Sequence, residues 1–343
     1  MKLIELHILQ SFPVSCLNRD DVGSPKSAIF GGVQRARISS QCQKRAVRLA
    51  ARELSPQFVG IRSRILHEPF EKALIRAGLG EDTAKENANR LCEKYSEPDK
   101  KHPGSVKTLV YLSPGEIESV AKNIAAGESV EKAIKKATRL DAADIALFGR
   151  MVANDASLNI DGAAMFSHAL STHKAANEID FFSAVDDGKV GADDAGAGMI
   201  GTLEFSSATY YRYAAVNLDL LFDDTHLGPL SIDKRPAIID AFIRATLMAV
   251  PGARKNSMNA HTLPFEALVI VKDTGQPIQL INAFETPVSA NGQSRAQASL
   301  TAMKGELDRL KKTWGLKHRE ELWLSEVGLN DLMTTITKEE YVA

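Results

Sequence analysis

The residues in this sequence that are best suited to chemistry are cations that lie close together near the start of the chain. Between Asp21 and Glu53 there are seven cations and no acid, although the formal net charge of the 343-residue chain is only -1. Crowded like charges repel each other unless an anion offsets them. We therefore predict a phosphate-binding surface in this stretch. Its cations are Lys26, Arg35, Arg37, Lys44, Arg45, Arg48 and Arg52.

A helix is expected to carry most of these cations. Ser40 followed three residues later by Gln43 has the form of a capping box, which predicts a helix that begins at Ser40. Residues three and four apart then share a face, and the first backbone N–H groups stay free to bind an anion. An ordinary solvated helix is the alternative. The cationic face comprises Gln41, Lys44, Arg45, Arg48 and Arg52, and the other face comprises Cys42, Ala46, Leu49 and Ala50.

The composition is that of a folded protein, with 44% hydrophobic and 25% charged residues. The sequence has no run of about 18 apolar residues that would span a bilayer, and its N-terminus lacks the features of a secretory signal. Three widely spaced cysteines, Cys16, Cys42 and Cys92, suit neither a disulfide framework nor a zinc site. We expect a cytoplasmic protein with reduced thiols, no cofactor, no metal and no membrane contact.

Periodicity and turn signals predict an α+β protein. Residues 2–10 place apolar side chains at a spacing of two, like a strand with one face in a core, and Ser113 precedes a helix within a helical block from about 58 to 166. A glycine-rich run near 178–206 predicts a long extended or hairpin-like loop. The remaining predictions are a strand or hairpin over 202–222, a helix over about 233–250, strands over 264–273 and 277–285, and helices over 294–313 and 319–336.

This order of elements predicts a domain type. Without the helical block and the glycine-rich loop, the order is strand, helix, strands, helix, strand, strand and then helices. That order is typical of an RRM-like (ferredoxin-like βαββαβ) domain, here interrupted after its first helix. Such domains have many functions, so the phosphate-binding residues must indicate which one applies.

A series of short motifs runs through the sequence from the first strand to about residue 285. They are CLNRDD (16–21), AIFGG (28–32), RARISSQ (35–41) with KRA (44–46), DIALFGRM (144–151), DGAAMFSHALSTH (161–173), EIDFFSAVDD (178–187), EFSSATYYRYA (204–214), VPGAR (250–254) and NAFE (282–285). Together and in this order they closely resemble CasC, the family of backbone subunits of the type I-E CRISPR Cascade complex.

The resemblance implies a hand-shaped, non-catalytic protein. An RRM-like palm would comprise residues 1–57 and 207–343, inserted helical fingers residues 58–174, and a thumb loop or hairpin residues 175–206. Several copies would form a filament along one CRISPR RNA (crRNA), kink it periodically and present it for pairing with target DNA in antiviral defence. The large, small, foot and head subunits of Cascade would be further partners.

The resemblance also implies which residues hold the guide. Binding of any guide requires contacts to phosphate and sugar, because these are the same for every sequence. Met151 and Ser183 would belong to the device that interrupts base stacking, although Met151 considered alone would be a core residue. The implied crRNA contacts are Arg19, Lys26, Ser39, Ser40, Gln41, Lys44, Arg45, Arg48, Met151 and Ser183.

A lysine-rich finger helix is implied to contact target DNA. Its cations are Lys132, Lys135, Lys136 and Arg139. Glu128 and Glu131 beside them equally suit an ordinary solvated helix.

An enzyme is the rival class of function. Adjacent aspartates at 20–21, 186–187 and 193–194 would be able to hold Mg²⁺ for a two-metal ribonuclease, but aspartates on loops are more often turn residues. Related backbone subunits of type III complexes cut RNA with a loop aspartate, which keeps Asp20 and Asp21 as candidates. His168 and His173 have no third ligand at metal-binding spacing, so we interpret them as core or surface residues. A protein-binding scaffold with an incidental basic helix is a third interpretation.

Overall fold

Strand β1 (Leu3–Ser15) lies at the centre of the fold. In the computed structural model, which describes residues 1–102, 104–184 and 199–342, it pairs antiparallel with β9 (Met199–Asn217) on one side and β10 (Glu266–Lys272) on the other. Residues 3–10 are all buried. The predicted strand is confirmed, but the expectation that only one of its faces is in a core is wrong, because protein covers both faces.

The molecule is mixed α+β, with a mostly antiparallel sheet of nine strands in the order β11, β10, β1, β9, β7, β3 and β2, to which β6 and β8 are joined through β9. The other strands are β2 (Ser27–Phe30), β3 (Val33–Ile38), β4 (Ile61–Ser63), β5 (Val110–Leu112), β6 (Ala164–Phe166), β7 (Ala169–Ser171), β8 (Glu178–Ala184) and β11 (Glu320–Trp323). The helices are α1 (Ser40–Leu54), α2 (His67–Arg76), α3 (Glu81–Tyr95), α4 (Pro114–Ala125), α5 (Val130–Lys135), α6 (Ala143–Phe148), α7 (Leu218–Leu221), α8 (Arg235–Met248), α9 (Arg295–Trp314), α10 (Leu324–Val327), α11 (Leu329–Ile336) and α12 (Glu339–Val342).

Helices α1 and α8 cover one face of the sheet. Ile4 and Ile8 of β1 share a hydrophobic core with Val47 of α1 and Phe242 of α8. In chain order the elements are β1, α1, β6 and β7, β9, α8 and β10, and β1 lies between β10 and β9 in the sheet. The helix predicted over 233–250 is confirmed as α8, which ends before Pro251 because proline cannot continue a helix.

The opposite face of the sheet is covered by a segment that was predicted to be a strand. Residues 277–285 form no strand and contain a 3₁₀ turn, Ile281–Phe284. The backbone N–H of Leu280 donates to the Tyr211 hydroxyl at 2.9 Å, and Phe284 packs on the same ring with centroids 5.3 Å apart. The prediction was wrong because side chains of the sheet bind this segment across its face, and β11 takes the place beside β10.

A second hydrophobic cluster lies within the helical block. It joins Phe70 of α2, Leu91 and Tyr95 of α3 and Val120 of α4. The predicted helix cap is confirmed, because the Ser113 side chain accepts the N–H of Glu116 at 3.1 Å. However, β6 and β7, which lie inside the range predicted for the fingers, pair with β9 of the main sheet.

A two-stranded ribbon extends from the sheet. Strand β8 pairs with the first seven residues of β9, and its outer side chains are exposed, with Phe181 74% and Ile200 69% accessible. Residues 185–198, the middle of the predicted glycine-rich loop, lie outside the described part of the chain, as do the aspartates at 186–187 and 193–194. Among the described residues no helix is both long and apolar enough to cross a membrane.

Candidate nucleic-acid interface

The cationic helix α1 begins at Ser40 as predicted, but its N-cap lies one residue earlier than the predicted capping box places it. Ser39, not Ser40, is the N-cap, with an extended backbone and a side chain that accepts the N–H of Cys42 at 3.3 Å. Gln43 is buried and donates to the Ser167 carbonyl at 2.9 Å. The predicted capping box is therefore wrong, because the free carbonyl of Ser167 draws the Gln43 amide into the protein and away from the helix start.

Asn18 joins the preceding loop to this helix start. Its side-chain oxygen accepts the Ser39 N–H at 2.8 Å, and its main-chain oxygen accepts the Lys26 N–H at 2.8 Å. Lys26 in turn accepts the N–H of Arg37 at 2.9 Å. The loop that carries Arg19 and Lys26 is thereby held against the first turn of α1, where backbone N–H groups and the positive end of the helix dipole favour anions.

Three cations lie around the helix start: Lys26, Arg37 and Arg45. Burial lowers the pKa of His168, and the positive charges of Arg37 and Lys26 lower it further. Burial raises the pKa of Cys42, whereas the positive charges of Arg45 and Lys26 act to lower it. None of the three forms an ion pair with a carboxylate among the described residues. Surface cations that a protein leaves without acidic neighbours attract anions from solution.

Two further cations of α1 lie over aromatic rings. The Lys44 ammonium is 5.8 Å from the centroid of Phe166, and the Arg48 guanidinium is 5.2 Å from that of Tyr111. Burial lowers the pKa of Lys44. Such rings hold the stems of the side chains in place, and the charged ends remain available to a ligand. Gln41 beside them is exposed.

Two cations of the predicted surface have structural partners instead. Arg35 is fully buried and donates to the carbonyls of Phe30, Ser171, Phe284 and Glu285. Arg52 donates to the Gly60 carbonyl and lies 3.9 Å from the carboxylate of Asp144. The prediction that all seven cations of this stretch form one phosphate-binding surface is therefore wrong for these two, since their hydrogen bonds hold the fold together.

Met151 is 82% exposed, so it is not the core residue that its type alone would predict. It lies three residues beyond Phe148, whose ring centroid is 6.2 Å from that of Phe166, the ring beneath Lys44. Three residues of extended chain span at most about 11 Å. An exposed, flexible apolar side chain thus follows closely in the chain after a ring that packs against the aromatic support of Lys44.

The root of the β8–β9 ribbon is attached to the basic loop. Glu204 of β9 accepts hydrogen bonds from the Ser24 hydroxyl at 2.8 Å and from the Asn177 amide at 3.0 Å. Ser183 is exposed further along the ribbon, opposite Ile200. The ribbon therefore starts beside Arg19 and Lys26 and extends away from the sheet.

A groove of about 1140 Å³ adjoins the other side of α1. It is lined by the basic loop, by Arg45 and Leu49 of α1, and by residues 249–261, which include Lys255 and His261. The sequence predicts no role for this last segment, although its VPGAR motif contributes to the resemblance to CasC. The fold brings this segment, which lies some 200 positions after α1 in the chain, next to that helix.

Comparison with known proteins gives the family. The model of the CT1975-like protein family matches residues 4–340, nearly the whole chain. The chain belongs to the CT1975-like family. No curated protein sequence matches it significantly.

Two solved structures resemble this CT1975-like protein over most of its length. A chain from a structure titled "CRISPR RNA-guided surveillance complex, pre-nicking" is 30% identical, with a TM-score of 0.75, and the match covers 91% of this chain and 89% of the other. A chain from a "CRISPR RNA-guided surveillance complex" is 27% identical, with a TM-score of 0.59, and the match covers 94% of this chain and 87% of the other.

The four cations predicted to contact target DNA differ in their surroundings in this CT1975-like protein. Lys136 pairs with Glu128, and Arg139 lies 3.5 Å from the buried carboxylate of Glu116. Lys132 and Lys135 are exposed on α5 and form no ion pair within the described ranges. Lys132 and Lys135 are therefore the two of the four that remain open to an anionic ligand.

The candidate metal ligands have other roles where the structure describes them. Asp20 accepts the N–H groups of Val22 at 3.0 Å and Ser24 at 2.9 Å, as turn aspartates do. His168 accepts the N–H of Ser40 at 3.3 Å, and His173 is buried. The part of the chain that the structure describes contains no group of three or more histidine, cysteine or acidic residues placed to hold a metal ion.

Proposed function

We propose that this CT1975-like protein is a CasC-type backbone subunit of a type I-E CRISPR Cascade complex that binds crRNA. Its likeness to chains of CRISPR RNA-guided surveillance complexes over 91% and 94% of its length supports a Cascade-type role. The motifs of the sequence favour the CasC family and type I-E. In this proposal, copies of the chain form a filament on one crRNA, kink it periodically and present it to target DNA.

The cationic face of α1 is the observation that carries the proposal. Lys26, Lys44 and Arg45 form no ion pair with a carboxylate among the described residues, and they lie near a helix start with two serine side chains. Arg48 lies further along the same face, over the ring of Tyr111. Ammonium, guanidinium, hydroxyl and free backbone N–H groups all bind phosphate and sugar, which are the same for every guide, so this surface suits a subunit that must hold any guide. Arg19 completes the surface from the adjoining loop.

The sheet topology supports an RRM-like palm. The strand order β10, β1, β9 and then β6 or β7, with α1 and α8 on one face, is the order of a ferredoxin-like βαββαβ domain. In this proposal the palm comprises residues 1–57 and 207–343 together with β6 and β7, the rest of the range 58–174 forms the fingers, and residues 175–206 form the thumb. The separate hydrophobic cluster of the helical block favours the fingers as a distinct unit.

Met151 and the ribbon supply the proposed kink. Met151 projects from the fingers beside the cationic face, and Ser183 lies on the ribbon that starts at the basic loop. An apolar wedge on one side of an RNA strand and an extended ribbon across it separate neighbouring bases. In the same proposal Lys132, Lys135, Lys136 and Arg139 contact target DNA, and the large, small, foot and head subunits complete a cytoplasmic complex without catalytic activity in this chain.

Charge reversal at two positions tests the proposal. The Lys44→Glu and Arg45→Glu double variant should lose most co-purifying RNA, measured from the absorbance ratio and mass of the native complex, because four units of charge change at the phosphate contacts. The Lys312→Glu and Lys317→Glu double variant makes the same charge change at exposed positions far along the chain and should retain RNA.

Two results would contradict the proposal. Undiminished RNA in the first variant would show that α1 does not hold the guide. Regularly spaced cuts in complementary RNA with Mg²⁺, abolished by Asp20→Asn or Asp21→Asn, would favour the ribonuclease instead.

A further inference from the structure

We propose that Arg150 and Asn159 are positioning residues that hold the Met151 side chain outward at the edge of the cationic face. This inference rests on the proposed function, in which Met151 separates bases of the guide. It assigns a role to two residues on either side of Met151 that do not themselves touch RNA.

The backbone around Met151 is fixed on both sides. Arg150 and Ile160 exchange two backbone hydrogen bonds, of 2.9 and 2.8 Å, and the N–H of Val152 donates to the Asn159 side chain at 2.7 Å. Arg150 and Val152 are 4% and 3% exposed, whereas Met151 is 82% exposed. Since successive side chains of an extended backbone point to opposite sides, anchoring both neighbours inward directs Met151 outward.

The Arg150 side chain anchors this loop to the fingers. Its Nη1 lies 2.8 and 2.9 Å from the two carboxylate oxygens of Glu116 on α4 and donates to the Tyr111 carbonyl on β5 at 3.2 Å. Its Nε donates to the Leu158 carbonyl at 3.1 Å, back across the loop. One guanidinium thus joins both ends of the loop over 150–160 to two elements of the fingers. A lysine has a single ammonium group and would not bind all three partners in this geometry.

The glycine before Arg150 shows how closely the loop is packed. Gly149 has a φ of +79°, and a Cβ there would lie 2.9 Å from the Ile160 carbonyl oxygen and 3.1 Å from the nitrogen of Gly162. Only glycine fits this position. In the sequence Gly149-Arg150-Met151, the glycine therefore allows the two ends of the loop to approach closely, the arginine anchors the loop to the fingers, and the methionine side chain is exposed.

The buried ion pair suits positioning better than stability. A buried pair gains little net stability over apolar side chains of similar volume, because removing both charges from water offsets their attraction. It does fix one geometry, because both carboxylate oxygens and two carbonyls must be satisfied together. An apolar side chain that must insert at one point of an RNA strand needs such a rigid support.

A matched pair of substitutions at Asn159 tests the inference in the assembled complex. Asn159 is exposed, so neither Asn159→Ala nor Asn159→Asp should prevent folding. The guide carries 2-aminopurine at one position at a time, and its fluorescence reports which bases are unstacked. Asn159→Ala should reduce the outward population of Met151 by about fivefold, the factor that one net hydrogen bond is worth, and lower the periodic signal. Asn159→Asp retains the acceptor oxygen and should restore the signal.

Retained RNA separates positioning from a general structural effect. The phosphate contacts lie on other residues, so all three variants should keep wild-type amounts of RNA: Asn159→Ala, Asn159→Asp and the double variant Arg150→Met with Glu116→Leu. The double variant should lose the periodic fluorescence signal, as Met151→Ala does. If Met151→Ala lowers the signal and Asn159→Ala leaves it unchanged, the inference is overturned while the proposed function stands. If Met151→Ala itself leaves the signal unchanged, the proposed role of Met151 fails, and the inference fails with it.

Discussion

The side-chain oxygen of Asn18 lies 2.8 Å from the backbone nitrogen of Ser39, the cap of the cationic helix. Through its main-chain oxygen the same residue also holds Lys26, at 2.8 Å. One asparagine therefore sets the position of the loop cations relative to the helix start, so that two anion-binding elements act on one ligand.

Removal of this link should weaken RNA binding more than folding. Asn18→Ala leaves the Ser39 N–H without its acceptor, which should lower the free energy of unfolding by about 1–2 kcal/mol. RNA retention should be lower than that of wild type and should depend less steeply on salt, because Arg19 and Lys26 are no longer held beside α1 and contribute fewer phosphate contacts. Asn18→Asp keeps the acceptor oxygen and is the matched control for folding. Equal RNA retention by the alanine variant and wild type across a salt titration would contradict this prediction.

Neighbouring glycines in the β2–β3 turn should differ in their tolerance of alanine. Gly31 and Gly32 both have positive φ values, of 59° and 74°. A Cβ at Gly31 would overlap the backbone oxygen of Glu285, whereas a Cβ at Gly32 would have no other atom within 4 Å. We expect Gly31→Ala to cost about 3 kcal/mol or more and Gly32→Ala about 1 kcal/mol, the latter from backbone strain alone. Urea unfolding measures both, and similar losses would show that the Glu285 backbone moves aside.

Buried and exposed arginines of the basic stretch should separate stability from RNA binding. Arg35→Gln leaves several buried carbonyls without donors and should cost about 3–5 kcal/mol, measured by chemical unfolding. Arg45→Gln should change stability by no more than about 0.5 kcal/mol. It should instead reduce the slope of log affinity against log salt by about 0.7, the value for one phosphate contact on a single strand. A changed slope in a folded Arg35 variant would argue against this division.

His7 should make the protein less stable in acid. Burial, followed by the positive charge of Lys272, lowers its pKa from 6.5 to about 3. The unfolded state therefore binds a proton between these values while the folded state does not, and stability is lost as the pH falls below 6.5. At pH 5 the loss from this group is about 2 kcal/mol.

His7→Gln is the control for this effect, because glutamine does not titrate. Its side-chain oxygen can also accept the hydrogen bond of the Tyr211 hydroxyl, which in the wild type lies 2.8 Å from Nδ1 of His7. Unfolding free energies between pH 7 and 5 should be flatter for the variant. An unchanged pH dependence would assign the acid sensitivity to other groups.

Local signals in the sequence predicted most of the elements. The alternation of residues 2–10, the Ser113 cap and the proline after α8 identified β1, α4 and the end of α8, because each depends on neighbours in the chain. The strand or hairpin predicted over 202–222 is the single strand β9, except that residues 218–221 form the short helix α7.

Errors arose where distant residues decide the local structure. Ser167, more than 120 positions away, draws Gln43 inward and moves the cap to Ser39, and the Tyr211 hydroxyl binds the segment that had been predicted as a strand. The resemblance, rather than composition, singled out Met151, and no pattern around it indicated exposure. Similarly, Arg35 is one of seven cations between Asp21 and Glu53, and only its four carbonyl partners show that it is structural.

The burial of Arg35 has a consequence for synthesis of the protein. Its guanidinium joins β3, the strand that leads into the cationic helix, to the carbonyl of Phe284, 249 positions later. Contacts this distant in sequence form late, and a chain that emerges from the ribosome N-terminus first must expose residue 285 before they are possible. The nascent polypeptide therefore carries the cations of this stretch through most of translation without a fixed surface, and the proposed guide-binding surface forms only as synthesis nears its end.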